Sequence, residues 1–297
     1  MSFIAVAVFR DRQPAQHRLC QQPVGFSEVS RTLESLATIR CVESLILKLV
    51  VTPLLIGAAS LAGHRWGAAV GGWLVGIPFT SGPIAFFLAL DHGASFAASA
   101  SVGMLVGTIS QALFCLAYAW TSPRLRWPAS FGAGTLGFAA STVVLRPLEA
   151  PATTAFVLTV AALVVALLLI PRDSSKPKVP EEEEAPRWDL PARMVVATVF
   201  VLLLTAIAPL LGPYLSGLLS PFPLFGAILT VFTHRSQGSI AATRLLRGLL
   251  FGLFAPAGFF LALAIVIEPL GIGLGFAAAT ATALAFQGVT LWLLSVR

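Results

Sequence analysis

Charge disappears from this chain for long stretches and returns in short clusters. Residues 66–90, 93–123, 127–145, 150–171, 194–233, 248–267 and 269–296 contain no Asp, Glu, Lys or Arg. A helix needs about 20 residues to cross a hydrocarbon core of ~30 Å. Most of these runs are that long, and 194–233 is long enough to cross twice. Turn-forming residues separate them: Gly63-His64, Asp91-His92-Gly93, Ser122-Pro123, Arg146-Pro147, Pro171, Gly212-Pro213, Gly238 and Pro269. The pattern predicts an all-α, polytopic transmembrane helix bundle of about nine spans. They are expected at 44–62, 66–90, 95–120, 128–146, 152–171, 193–211, 214–233, 241–267 and 271–295.

Composition agrees. Of 297 residues, 57% are hydrophobic and 11% charged, where a soluble domain carries roughly 25% charged residues. Mean hydropathy is +0.88. A soluble globule needs more charge than this to cover its surface. The net charge of +6 does not point to nucleic acid, because the basic residues flank the apolar runs. Their distribution sets an orientation instead. Arg65, Arg124, Arg126, the cluster from Arg172 to Arg193, Arg235, Arg244, Arg247 and Arg297 all fall on one set of alternating loops. The other set holds Lys48 and Arg146 beside Asp91, Glu149 and Glu268. The first set, with the C-terminus, is expected to be cytoplasmic. Arginine outnumbers lysine heavily, as in proteins of GC-rich genomes, so the expected location is a prokaryotic inner (cytoplasmic) membrane. Cys20, Cys41 and Cys115 have no CxxC or metal-ligand spacing and read as isolated thiols.

Four regions follow. Residues 1–43 are a polar tail with Arg10, Arg12, Arg18, Arg31 and Arg40 and, at most, a short helix over Ser27–Leu36. The topology places this basic tail on the less basic side. Either the native chain lacks this tail, with translation starting near Val42 or Leu45, or the tail is translocated against the rule, or the first segment does not span. Residues 44–171 form a first transmembrane half of about five spans. Residues 172–192, with Pro177, Pro180, Pro186 and Glu181–Glu184, form a flexible cytoplasmic linker. Residues 193–297 form a second half of about four spans.

The halves resemble each other. With an offset of 145, residues 93–119 and 238–264 share ten identities in 27 positions, among them Gly93/Gly238, Gly103/Gly248, Gly107/Gly252 and Phe114/Phe259. Five spans in the first half would insert the second half upside down. Inverted repeats of this kind are a recurrent architecture of secondary transporters, whose sites lie between the repeats near the midplane.

The segment Gly76-Ile77-Pro78-Phe79-Thr80-Ser81-Gly82-Pro83 sits in the middle of an expected span and cannot continue a regular helix comfortably. Lipid tolerates irregular backbone only inside protein or around a cavity. A break there would free carbonyls and amides, and Thr80 and Ser81 would add hydroxyls. Exposed amides at a helix start suit an anionic group. The second half has a similar stretch, Gly217-Leu218-Leu219-Ser220-Pro221-Phe222-Pro223. The candidate substrate-binding residues are Gly76, Pro78, Thr80, Ser81, Gly82 and Ser220, with Gln111 and Gln287 as deep amides. Asp91 is the candidate proton-coupling carboxylate. His64 and His234 fall near span ends and read as solvated. Gly103/Gly107 and similar small-residue pairs read as packing contacts within the chain.

There is no Walker A loop, HExxH, GxSxG or His/Cys metal cluster. No cofactor, metal or catalytic residue is expected. The expected function is a secondary transporter or permease of a small solute, anionic on the amide argument, working by alternating access in the bilayer. The competing classes are a membrane-embedded enzyme acting on a lipid or isoprenoid, and an accessory subunit of a membrane complex.

Overall fold

The computed structural model describes residues 49–50, 54, 81–171 and 189–295. The chain divides into two compact units, Met1–Leu45 and Ile46–Arg297, and every described residue belongs to the second. The expected tail, most of the first span, the early part of the second with Gly76, Pro78 and Thr80, and most of the linker lie outside the described residues.

The described residues are helical, with no strand among them. The helices are α1 (Ser81–His92), α2 (Ala94–Thr121), α3 (Trp127–Leu145), α4 (Ala152–Leu169), α5 (Asp189–Leu211), α6 (Pro213–Leu219), α7 (Leu224–Gln237), α8 (Ser239–Gly252) and α9 (Phe254–Ser295). Six helical stretches among the described residues are long and apolar enough to cross a membrane: Ala94–Thr121, Trp127–Leu145, Ala152–Leu169, Met194–Leu211, Pro213–Gln237 and Ser239–Val289. Their outward faces carry bare apolar side chains, with Val144 74% and Leu210 88% exposed. Water would oppose so much exposed apolar surface, and lipid does not. The protein is an α-helical membrane protein.

Consecutive helices often meet at a single glycine. Gly93 (φ 90°, ψ 172°) joins α1 to α2, and Gly238 (φ 87°, ψ 179°) joins α7 to α8. An L side chain is strongly disfavoured in this conformation, so each corner needs glycine. The hydrogen bonding is the same at both. The Gly93 N–H donates to the Ala89 carbonyl at 3.0 Å, and its own carbonyl accepts from the Ala97 N–H at 3.2 Å. At Gly238 the partners are the His234 carbonyl and the Ala242 N–H, both at 3.2 Å. Gly212 and Gly271 also have positive φ. At Gly271 the long α9 folds back on itself: a Cβ on Gly275 would lie 2.9 Å from Ile267 Cα, and one on Gly258 2.6 Å from the Phe286 ring. Those pairs bracket Gly271 almost evenly, so the two arms run antiparallel. The turn expected at Pro269 is thus made two residues later, by the residue that can take the positive φ.

α2 is the central helix and packs against α1, α3, α4, α6, α8 and α9. Small residues let α6 come close to it. A Cβ on Gly217 would collide with the Ala100 backbone carbonyl, and one on Gly103 with the Tyr214 carbonyl. The Gly103/Gly107 pair is therefore a contact within the chain. Buried hydroxyls fasten α3 and α4 to α2. Ser110 Oγ lies 3.1 Å from Ser141 Oγ, Thr142 donates to Ser110 at 3.2 Å, and Thr159 donates to the Leu105 carbonyl at 2.8 Å.

Charged residues separate by end. The Tyr214 hydroxyl, beside the Gly212 corner, donates to the Leu148 carbonyl in the loop after α3. Asp91, Glu149 and Glu268 lie toward this end. At the other end Ser122 Oγ is 3.4 Å from Thr243 Oγ1, and Trp120 Nε1 donates to the Leu169 carbonyl at 3.1 Å. Arg124, Arg126, Arg235 and Arg244 lie toward that end. The start of α8 meets the end of α2, so α8 runs opposite to α2. Tyr214→Phe removes the tie between α6 and the α3–α4 loop. It is expected to cost about 1 kcal/mol, read as a lower unfolding midpoint in detergent.

Candidate functional site

The span Pro213–Gln237 is not one continuous helix. α6 stops at Leu219, residues 220–223 form a turn, and α7 begins at Leu224. The sequence explains the break. Pro221 and Pro223 have no N–H, and a proline ring clashes with the preceding turn. The turn keeps some bonds: Ser220 N–H to the Gly217 carbonyl at 3.1 Å, Phe222 N–H to the Leu219 carbonyl at 3.2 Å, and Leu224 N–H to the Phe222 carbonyl at 2.8 Å. The Ser220 side chain has none. Its hydroxyl is fully buried and has no hydrogen-bond partner among the described residues. Such a group costs about 1–3 kcal/mol unless water or a ligand supplies the missing partner.

α2 supplies the facing wall. At 100° per residue, Gly103, Gly107, Gln111, Phe114 and Tyr118 share an arc of about 80°. This stripe follows α6 and the turn, and its last member reaches the end of α7. A Cβ on Gly107 would lie 2.9 Å from Pro221 Cγ. The Phe114 ring is 6.2 Å from Phe222, and the Tyr118 hydroxyl is 3.1 Å from His234 Nδ1. Gln111 stands between the Pro221 and Phe222 contacts, so it is level with the break. Its amide is half-buried and makes no hydrogen bond among the described residues. A lone amide at mid-span is expensive in lipid and marks a polar cavity or a functional position.

Phenylalanines surround the turn. Phe222 lies 5.1 Å from Phe138 and 6.4 Å from Phe200 between ring centroids. The aromatic wall is uncharged, and α7 begins directly after it at Leu224. An open apolar groove of about 600 Å³ runs between α2 and α3, lined by residues such as Leu113, Trp120 and Val144. It lies on the side of α2 opposite the stripe and does not reach the break.

Comparison with protein-family models, with curated proteins and with solved structures gives no match. No activity is carried over from a relative.

Of the residues expected from sequence, Ser220 lies in the break, and Gln111 stands on α2 at the level of the break. Ser81 and Gly82 are buried in the first turn of α1, while Gly76, Pro78 and Thr80 lie outside the described residues. Gln287 is buried in the second arm of α9, on a different element from the break. Asp91 is exposed near the Gly93 corner. Phe222 and Tyr118 are additions to the expected set. The Pro-Phe-Pro triplet at mid-span is the available signal for Phe222. Tyr118 looks like any apolar helix position until its partner on α7 is known.

Proposed function

We propose that this chain is a secondary transporter or permease of a small solute, working by alternating access. The observation that carries the proposal is the discontinuous helix at Ser220–Pro223, with a buried hydroxyl that has no partner among the described residues; the Gln111 amide of α2 stands at the same level. Breaks of this kind bind solute and coupling ions in transporters, where half-helix ends offer unsatisfied backbone groups at membrane depth. The Ser220 hydroxyl and the Gln111 amide would receive the polar part of the solute, and the phenylalanines would enclose its apolar part.

The wider architecture is proposed with it. About nine spans form two inverted repeats, joined by the 172–192 linker. The shared corner geometry of Gly93 and Gly238 supports the repeat, as does the opposite direction of α8 and α2. The basic end, with the C-terminus, lies in the cytoplasm by the positive-inside rule, and the membrane is the inner membrane of a prokaryotic cell.

The test is uptake or efflux by the purified full chain in liposomes, against a panel of small organic and inorganic solutes. Saturable movement of at least one solute class is expected. If the reconstituted, folded protein moves none of them beyond empty liposomes, the reading fails.

A further inference from the structure

Tyr118 of α2 and His234 of α7 meet in a polar contact across the seam between these helices, which the proposed solute site does not use. Tyr118 is fully buried. Its hydroxyl lies 3.1 Å from His234 Nδ1, with the rings edge-on at 5.8 Å. His234 is half-buried in the last turn of α7, and its carbonyl receives the Gly238 N–H of the corner into α8. Tyr118 stands about two turns beyond Gln111 on the same stripe of α2. The contact therefore closes the seam on the basic side of the break.

This bond works in either of two senses. If Nδ1 carries a hydrogen, the ring donates, and the Tyr118 hydroxyl hydrogen is left inside the core without an acceptor. If Nδ1 is bare, Tyr118 donates to it and both groups are satisfied. The neutral ring with a bare Nδ1 is thus the state that holds the seam. A proton taken from water on that side forms a new N–H bond at Nδ1, using the lone pair that had accepted the tyrosine hydrogen. The ring can then only donate, which leaves the Tyr118 hydroxyl hydrogen without an acceptor in the core and places a charge at the seam, so the closed contact is weakened. Return of the proton to water restores it.

The neighbouring elements define the setting. α2 presents Tyr118 and the buried Cys115 thiol, and the following loop carries Arg124 and Arg126. α3 has no titratable residue. α5 carries Asp189 and Arg193, α8 carries Arg244 and Arg247, and α7 itself carries Arg235. Histidine is the one residue type in this set whose ordinary titration falls between about pH 5 and 8.

We propose that His234 is a proton-binding site whose occupancy releases the α2–α7 seam, which makes the proton the coupling ion of the transport proposed above. Only the coupling rests on the transport reading, because the proton-driven release has its own readout.

That readout is a distance. In the full chain with Cys20, Cys41 and Cys115 changed to Ala, spin labels are attached through Ser236→Cys on α7 and Ala129→Cys at the start of α3, which packs along α2. Both positions are exposed. The interspin distance is measured in lipid nanodiscs across pH. A longer-distance population is expected to grow as pH falls through histidine's titration range. His234→Gln, whose amide oxygen can still accept from Tyr118, should stay short throughout. Tyr118→Phe should show the longer distance throughout. An unchanged distance in the labelled chain with Tyr118 and His234 intact overturns the proton site without recourse to any variant. So does a pH response that survives His234→Gln. A pH response intact in a protein that moves no solute would instead count against the transport reading and leave the proton site standing.

Discussion

Gly217→Val should destabilise the bundle more than any other single change considered for it. A Cβ at this position would overlap the Ala100 backbone carbonyl, with the Ala100 Cα only 3.0 Å away. Those atoms belong to helix backbone and cannot swing aside as the end of a side chain can. α6 must then move off α2. That shift reaches the opposite contact, where Gly103 faces the Tyr214 carbonyl, and the tie from Tyr214 to Leu148. Overpacking in a close-packed core costs about 1–3 kcal/mol and sometimes more, and this backbone clash belongs at or above the top of that range. For a chain of this size a loss of ~3 kcal/mol corresponds to a fall of roughly 6–12 °C in Tm, measured by thermal unfolding in detergent. Gly248→Ala is the matched control. Gly248 corresponds to Gly103 in the proposed repeat but is exposed, with nothing within 4 Å of its added Cβ. Its Tm should change little, or rise slightly from the better helix propensity of alanine. Equal losses at Gly217 and Gly248 would contradict the packing described for α2 and α6.

Ser220→Ala and Gln111→Leu should separate function from stability. Neither side chain has a hydrogen-bond partner among the described residues, so removing it takes no protein–protein bond away. Ser220→Ala relieves a buried unsatisfied hydroxyl, and Gln111→Leu removes an amide that lipid disfavours. Both variants should match or exceed the parent in Tm, by up to about 1 kcal/mol. Transport should fall about 10- to 100-fold, because a solute that loses a desolvated hydrogen bond loses about 1.5–3 kcal/mol and each 1.4 kcal/mol is a factor of ten. A solute that uses both groups should lose more in the double variant. Undiminished transport in the double variant would remove the site from the break.

Much of this arrangement is legible in the sequence because it depends on residues with few alternatives. Gly93, Gly212 and Gly238 mark corners because a positive φ excludes most other side chains. Ser220-Pro221-Phe222-Pro223 marks a break because two prolines withhold amides from a helix. The charge-free runs mark the spans because lipid excludes charge. Other features depend on partners far along the chain. Tyr118 and His234 are 116 residues apart. Alone, His234 near a span end reads as solvated, and only the fold brings it to Tyr118. Pro256 is a smaller case. The 238–264 segment resembles the continuous α2 in sequence, yet the structure interrupts it at Leu253, between α8 and α9. Proline withholds the amide that would reach the Gly252 carbonyl. Gln287 shows the reverse limit: its depth is readable, but its distance from the break depends on the lateral placement of α9, which periodicity does not encode.

The central claim is that the break at Ser220 lines a path that water and solute enter. The direct test is Ser220→Cys in the full chain lacking Cys20, Cys41 and Cys115, reconstituted in liposomes and exposed to a charged, membrane-impermeant thiol reagent from each side in turn. Alternating access predicts modification from both sides, slowed by a transported solute. An introduced thiol that stays unmodified from either side, in protein that is folded and whose cysteine reacts once denatured, would contradict the account.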